Sequence, residues 1–237
     1  MKHFFCGLLF LLFASSACAG DELASGKMAD GTSVAYVLTT SGSARPAYAV
    51  ILMPGGRGIM SPRIDNNGKL AFSLGGNFLI RSRGLFADGP FVAASTDATS
   101  TPDRILAIVA DLQRRYPGVK VYVIGTSRST DATVALARPL DGKVAGLVHT
   151  SSMNGIATFN PAGLKGRQLI VLHRRDACAL TKPSNGMASN KNYGTPLIEM
   201  DGGRSVGDDC EAQAYHGYNG IERETVEKIK QWIMAGG

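Results

Sequence analysis

The sequence predicts an α/β protein, a mostly parallel sheet packed between helices on both faces, and three observations predict it. Short apolar, β-branched runs alternate along the chain with segments of helical periodicity. Those runs lack strict in-out alternation, as do strands covered on both faces. Strand and helix in alternation require crossover connections, and right-handed crossovers lay helices over the faces of a sheet.

In chain order, the first feature is a targeting segment. Lys2 and His3 precede an apolar run from Phe4 to Phe13, and Ala17-Cys18-Ala19 supplies the small residues of a cleavage site, so residues 1–19 read as a secretory signal peptide. The run is too short for a bilayer core, which needs about 20 apolar residues. Ser16-Ala17-Cys18 also resembles a lipobox that would make Cys18 a lipid attachment site, but Ser15 stands where that motif usually has Leu. Cleavage leaves residues 20–237, enough for one domain with a sizeable core, destined for the periplasm or the medium.

Strands are expected at VAYVL (34–38), YAVILM (48–53), FVAAS (91–95), KVYVIG (120–125), VAGLVH (144–149), QLIVLH (168–173) and PLIEM (196–200). Residues 77–86 read as a helix. So do residues 102–116, where Ile105, Ile108, Val109 and Leu112 share one face, Thr101 is placed to cap, Pro102 sits in the first turn and Pro117-Gly118 ends the segment. Residues 128–138 form the next predicted helix, and 222–234, with Val226, Ile229 and Ile233 on one face, the last.

Composition narrows the function classes. The formal net charge of +6 is scattered rather than striped, which fits solubility better than nucleic-acid binding. No later apolar run approaches membrane-spanning length, and there is no fixed-period repeat. Cys6 and Cys18 lie in the signal segment, so the exported chain keeps Cys178 and Cys210, and an oxidising compartment makes a disulfide between them the economical inference.

The chemistry centres on GTSRS, residues 125–129. Ser127 stands where a strand passes into a helix. A tight elbow there lifts a hydroxyl clear of the sheet and needs small residues two before and two after, here Gly125 and Ser129. The plain alternative is a serine that caps a helix. Chain order favours the nucleophile, because a serine so placed expects an acid after a later strand and a histidine near the chain end. His216, in YHGY, follows the last strand, whereas His149 and His173 lie in strand runs and read as hydrogen-bonded structural residues. Asp176 follows the penultimate strand; Asp201, Asp208 and Asp209 read as surface or turn carboxylates. The bridge from Cys178 to Cys210 would tie the acid loop to the histidine loop. MPGGRG (53–58) follows a strand where a first oxyanion donor belongs, so backbone N–H groups of Gly56 or Arg57 and of Arg128 are the candidate donors. A dinucleotide reading of Gly56-Arg57-Gly58 fails, since Ser61 replaces the third glycine and Pro62 follows where a helix should run. No Cys/His spacing points to a metal, and no cofactor is expected.

On these residues the chain, over roughly positions 30 to 235, resembles the α/β-hydrolase superfamily, with PGG, GTSRS, the Asp176 segment and CEAQAYHGYNGIE as landmarks. GGNFLIRSR (75–83) and GTSR look like a group of small bacterial members. The resemblance implies the α/β-hydrolase fold, a mostly parallel central sheet of about eight strands, and hydrolysis through Ser127, Asp176 and His216. Ser129 departs from the family's second elbow glycine. His216 would take the Ser127 proton as the hydroxyl attacks a carbonyl, Asp176 would fix the imidazole tautomer, and water would release the acyl-enzyme. Only TSSMNGIATFNPAGLKGR separates two late strands where relatives insert a lid, so a large cap has no room. The expected partner is a small or surface-presented ester met by a monomer, with no nucleic acid and no membrane after cleavage. A peptidase or acyltransferase with the same triad, or a non-catalytic binding protein on the same scaffold, are the competing readings.

Overall fold

The computed structural model describes residues 20–42 and 45–236, so the expected signal segment and its lipobox lie outside the described residues. Among those residues the chain runs β1 (Gly20–Lys27), β2 (Ser33–Thr40), β3 (Tyr48–Met53), a small ribbon of β4 (Arg63–Ile64) and β5 (Leu70–Ala71), α1 (Phe78–Arg81), α2 (Arg83–Phe86) and β6 (Phe91–Ser95). It continues through α3 (Pro102–Arg115), β7 (Lys120–Thr126), α4 (Ser129–Leu136), β8 (Gly146–Thr150), a 3-10 turn (Asn154–Thr158), β9 (Arg167–His173), α5 (Pro183–Tyr193), β10 (Leu197–Met200), a second 3-10 turn (Tyr215–Gly217) and α6 (Glu222–Met234).

Eight of these strands form one sheet in the order β1-β2-β6-β3-β7-β8-β9-β10. β1 and β2 pair antiparallel, as do β2 and β6; every pairing from β6 through β10 is parallel. Each apolar run feeds both faces through the two-residue period of a strand. In β3, Ala49, Ile51 and Met53 join Val121 and Val123 of β7 under α3, whereas Val50 and Leu52 join Tyr122 and Ile124 under α1, α2 and α6. The parallel strands all end on one edge of the sheet, and in open α/β sheets ligands bind outside that edge.

Local departures from the sequence expectation have physical causes. The helix expected over 77–86 is two short helices meeting at Ser82, whose backbone (φ −90°, ψ 1°) leaves the helical region. Thr101 occupies the cap position of α3, but its side chain makes no capping bond there. The strand expected from Val144 starts at Gly146, because Val144 forms only an isolated bridge with Asp141. Strand β1 carries almost no hydrophobic signal: its buried positions are Ala24 and Gly26, and a Cβ on Gly26 would lie 2.2 Å from the Ala107 carbonyl oxygen of α3. Helix α5 went unpredicted since PSNGMASNKNY presents no apolar stripe; Pro183 starts it and Gly194, at φ 69°, ends it. The segment between β8 and β9 holds one 3-10 turn, with no inserted domain.

Candidate active site

The central strand β7 delivers Ser127. Just past Thr126 its backbone turns to φ 53°, a left-handed conformation that non-glycine residues adopt at a cost. The turn is locked by backbone bonds from Ser127 N to Thr150 O (3.0 Å) and from Thr130 N to Ser127 O (2.9 Å), the latter reinforced by the Thr130 hydroxyl (2.7 Å). Gly125 must be glycine here, as a Cβ would stand 2.7 Å from the Ser129 carbonyl oxygen and 2.8 Å from Thr133 Cγ2. Ser129, in place of the second elbow glycine, is buried and donates its hydroxyl to the Pro54 carbonyl. The substitution therefore fastens the loop after β3 to the elbow.

That loop is a turn closed by Gly58 N donating to Gly55 O (3.1 Å), with Gly56 at φ 62°. A Cβ on Gly55 would lie 2.8 Å from Ser127 Cβ, so the turn abuts the serine. Its far side is anchored by Asp97, whose Oδ1 accepts from Met60 N (2.6 Å) and Ser61 N (2.8 Å), and by Ala98 N donating to Gly58 O (2.8 Å). The backbone N–H groups of Gly56, Arg57 and Arg128 have no acceptor among the described residues, and all three residues line the same cleft as Ser127. Unpaired donors beside a serine hydroxyl are the arrangement that stabilises a developing oxyanion.

Beyond β9, Asp176 turns back to the strand by donating its N–H to His173 O (3.0 Å). Its Oδ1 accepts from Cys178 N (3.0 Å), while Oδ2 accepts from the Thr181 hydroxyl (2.9 Å) and lies 3.0 Å from His216 Nδ1. Thr181 Oγ1 is also 3.0 Å from that ring nitrogen. A carboxylate only accepts, so Nδ1 carries the proton and Nε2 presents the lone pair. His216 and Asp176 side chains are 7% and 2% exposed, which keeps solvent from competing for the bond.

The histidine loop is held from several directions. Tyr218, fully buried at φ 56°, donates its hydroxyl to Val171 O (2.9 Å) and accepts from Ser151 N (3.0 Å). The Ser151 hydroxyl donates to the His216 carbonyl (2.7 Å), and Arg81 Nη2 donates to the Gly217 carbonyl (2.6 Å) while also pairing with Glu222 (2.9 Å). Gly217 permits the close approach, since a Cβ would stand 2.0 Å from the Ala212 carbonyl oxygen. Tyr215 stacks on His173 (centroids 4.9 Å apart) and under the Arg175 guanidinium (4.3 Å), which ties the loop to the acid segment. The Cys178–Cys210 disulfide, with Cα atoms 4.7 Å apart, makes the same connection covalently.

The remaining candidates are placed elsewhere. His149 is fully buried, with Nε2 3.3 Å from Gln168 Oε1 and Nδ1 2.7 Å from the Thr133 hydroxyl. Gln168 Nε2 donates to Gly166 O and Oε1 accepts from His149 Nε2, so Nδ1 is the acceptor and the Thr133 hydroxyl, which also lies 3.1 Å from Thr130 O, turns its one proton to the nearer Nδ1. Burial pushes the pKa of this imidazole down to about 4 against the opposing Gln168 bond. His173 is bonded to Gly202 O (3.1 Å) and accepts from Arg175 N (3.1 Å); burial lowers its pKa as well. Asp201 pairs with Arg175 (2.9 Å), and Asp208 accepts from Cys210 N (3.1 Å), whereas Asp209 is exposed. Asp176, Cys178 and His216 place potential metal-ligating atoms within 4.8 Å of one another, but the cysteine sulfur is committed to the disulfide. Sequence reasoning missed Thr181, Ser151, Tyr218 and Arg81, whose roles depend on long-range contacts; only the two serines in a row after β8 hinted at a polar strand end.

A cleft of about 580 Å³ lies over this edge and is lined by Ser127, His216, Gly56, Arg57 and Arg128 among others. Neither Ser127 Oγ nor His216 Nε2 has a hydrogen-bond partner among the described residues, and the cleft brings both residues to one space. An apo site commonly leaves the nucleophile–base contact open until substrate tightens it.

No protein-family profile matches the chain, and no curated protein sequence does. Its fold is that of solved α/β hydrolases. It superimposes on an α/β serine hydrolase without lid from Xanthomonas campestris with a TM-score of 0.59 at 9% identity, covering 91% of this chain and 97% of the other. The esterase domain of a Rhodothermus marinus protein gives 0.61 at 10% identity over 90% and 97%. Dipeptidyl peptidase 4 from Porphyromonas gingivalis gives 0.55 at 12% identity, covering 87% of this chain but 35% of that one. At such identities the likeness establishes the α/β-hydrolase fold, and one fold hosts different chemistries.

Proposed function

We propose that this chain is an exported serine hydrolase, a carboxylic-ester hydrolase in which Ser127 is the nucleophile, His216 the general base and Asp176 the residue that orients it. The observation that carries the reading is the pairing of a serine at φ 53° on the strand-to-helix elbow with a histidine that shares its cleft and has its Nδ1 3.0 Å from a buried carboxylate. In this mechanism Nε2 removes the proton from Ser127 Oγ as the oxygen adds to the ester carbonyl. The tetrahedral oxyanion takes hydrogen bonds from Gly56 or Arg57 N–H and from Arg128 N–H. The imidazolium then protonates the departing alcohol, and water repeats the sequence on the acyl-enzyme. The chain works as a monomer without a cofactor. Residues 1–19 act as the export signal, and the Cys178–Cys210 bridge suits an oxidising compartment. No helix among the described residues is long and apolar enough to cross a membrane.

The test is intact-mass measurement after fluorophosphonate treatment, with p-nitrophenyl butyrate hydrolysis alongside. Wild type gains one adduct and hydrolyses the ester; Ser127→Ala gains none, and His216→Ala reacts far more slowly. Equal labelling of the Ser127→Ala variant would sink the nucleophile assignment, and an unreactive, folded wild type would point to a binding protein. Release of amine from peptides without ester turnover would favour a peptidase.

A further inference from the structure

We propose that the ester cleaved here carries a negative charge on its acyl half, read by Arg57 and Arg128; this rests on the ester-hydrolase reading above. On the far side of the candidate oxyanion donors lies a second pocket of about 390 Å³, lined by Arg57, Gly56, Ala98, Thr99, Arg128 and Ala135 among others. Gly56, Arg57 and Arg128 border both compartments, whereas Ser127 and His216 border only the first.

That division assigns the two halves of a substrate. The base must reach the leaving oxygen, so the alcohol belongs on the side of His216, in the first compartment. The substituent left on the carbonyl carbon then runs past the oxyanion turn toward the second compartment, between the two arginines. Neither guanidinium is bonded to any acceptor or paired with any carboxylate among the described residues. Arg81, Arg83, Arg115, Arg167, Arg174 and Arg175 are each held by a carboxylate or a carbonyl, whereas Arg104, Arg138, Arg204 and Arg223 are as free as Arg57 and Arg128 among the described residues but border neither compartment. Glu211 borders the first compartment and Asp131 the second, each one charge against two, and neither forms an ion pair. The position of Arg128 at the start of α4 adds the favourable end of a helix dipole. An unpaired, planar guanidinium is the group best shaped to grip a carboxylate.

The experiment compares kcat/KM for mono-4-nitrophenyl adipate, whose acyl chain ends in a carboxylate, with 4-nitrophenyl hexanoate, its neutral counterpart of equal length. A third probe, 4-acetoxybenzoate, places the charge on the leaving group. At low ionic strength the adipate is expected to be favoured by about fivefold for each arginine, the scale of an exposed ion pair. The preference should fade as salt rises to about 0.5 M, where charges are screened within a few ångströms. Arg57→Gln and Arg128→Gln should each lower the adipate-to-hexanoate ratio; any disturbance of the backbone donors acts on both esters and cancels in that ratio. Should the variants prove inactive, the wild-type salt dependence decides. Turnover of hexanoate with no salt-sensitive preference for adipate overturns the inference, as does an equal gain for 4-acetoxybenzoate or a preference that survives both substitutions. Failure on every ester together with an unlabelled Ser127 instead overturns the hydrolase reading, and this inference with it.

Discussion

At the scale of single residues, the informative position is the one where the elbow departs from its usual glycine. Glycine at 129 would let helix and strand approach; serine does so too, because its small side chain is turned into a bond with the Pro54 carbonyl. The hydroxyl thereby couples the serine elbow to the turn that presents Gly56 and Arg57. Ser129→Ala leaves a buried carbonyl without its donor, which costs about 1–3 kcal/mol in urea unfolding. If the proposed donors act on an oxyanion, the same variant should lower kcat about ten- to a hundredfold with a smaller change in KM, since displaced donors weaken transition-state binding more than ground-state binding. An unchanged kcat in a folded Ser129→Ala protein would show that the turn keeps its place without the hydroxyl. Thr181 plays a comparable part for the acid, since its hydroxyl serves Asp176 Oδ2 while the oxygen sits 3.0 Å from the imidazole.

At the scale of elements, the structure brings together loops that leave neighbouring strands. The histidine loop has no regular partner strand, so side chains fix it: Tyr218 reaches the ends of both β8 and β9 through one hydroxyl. Tyr218→Phe removes one of the two partners of Ser151 N–H and one of the two partners of Val171 O, which stay bonded to each other (3.0 Å). A loss of about 1–2 kcal/mol is expected from the two hydrogen bonds removed, together with a fall in kcat, because the Ser151 backbone whose hydroxyl holds the His216 carbonyl keeps only its bond to Val171 O. Stability loss with kcat intact would mean that Arg81 and the disulfide suffice to place the imidazole. Sequence reading reached the parallel strands because Val, Ile and Leu runs such as 48–53 and 168–173 declare double-sided burial. It nominated Ser127, Asp176 and His216 by their order relative to strands, and in the structure Ser127 and His216 line one cleft while Asp176 bonds His216. It passed over β1, whose buried face is alanine and glycine, and α5, whose polar surface carries no period. The ties around His216 were illegible for a related reason: Arg81 and Ser151 contact that loop across 136 and 65 residues of chain.

At the scale of the whole molecule, buried titratable groups make stability depend on pH in two separate windows. Asp111, beneath β1 and β2, is pushed up by burial, but the bonds it accepts from Tyr36 (2.6 Å), Arg114 and Arg115 outweigh this and hold it below the ordinary carboxylate value. Its contribution is present above its unfolded pKa of about 4 and is lost only as pH falls through the lower folded value. His149 acts earlier. In the folded chain it takes a proton only near pH 4, and in the unfolded chain near the ordinary 6.5. Between those values the unfolded chain binds more protons, so folding is weakened as pH drops through that window, and the loss levels off below it. The shift corresponds to roughly 3 kcal/mol at most. His173, lowered by burial, works in the same direction. Urea unfolding at intervals from pH 7.5 to 4.5 should therefore show wild type losing stability steadily on acidification. His149→Gln should be less stable at pH 7.5, having lost the imidazole's fit between Thr133 and Gln168, yet should show a shallower decline toward pH 4.5. Parallel slopes for the two proteins would mean that the buried imidazole is not what links proton uptake to unfolding in this range.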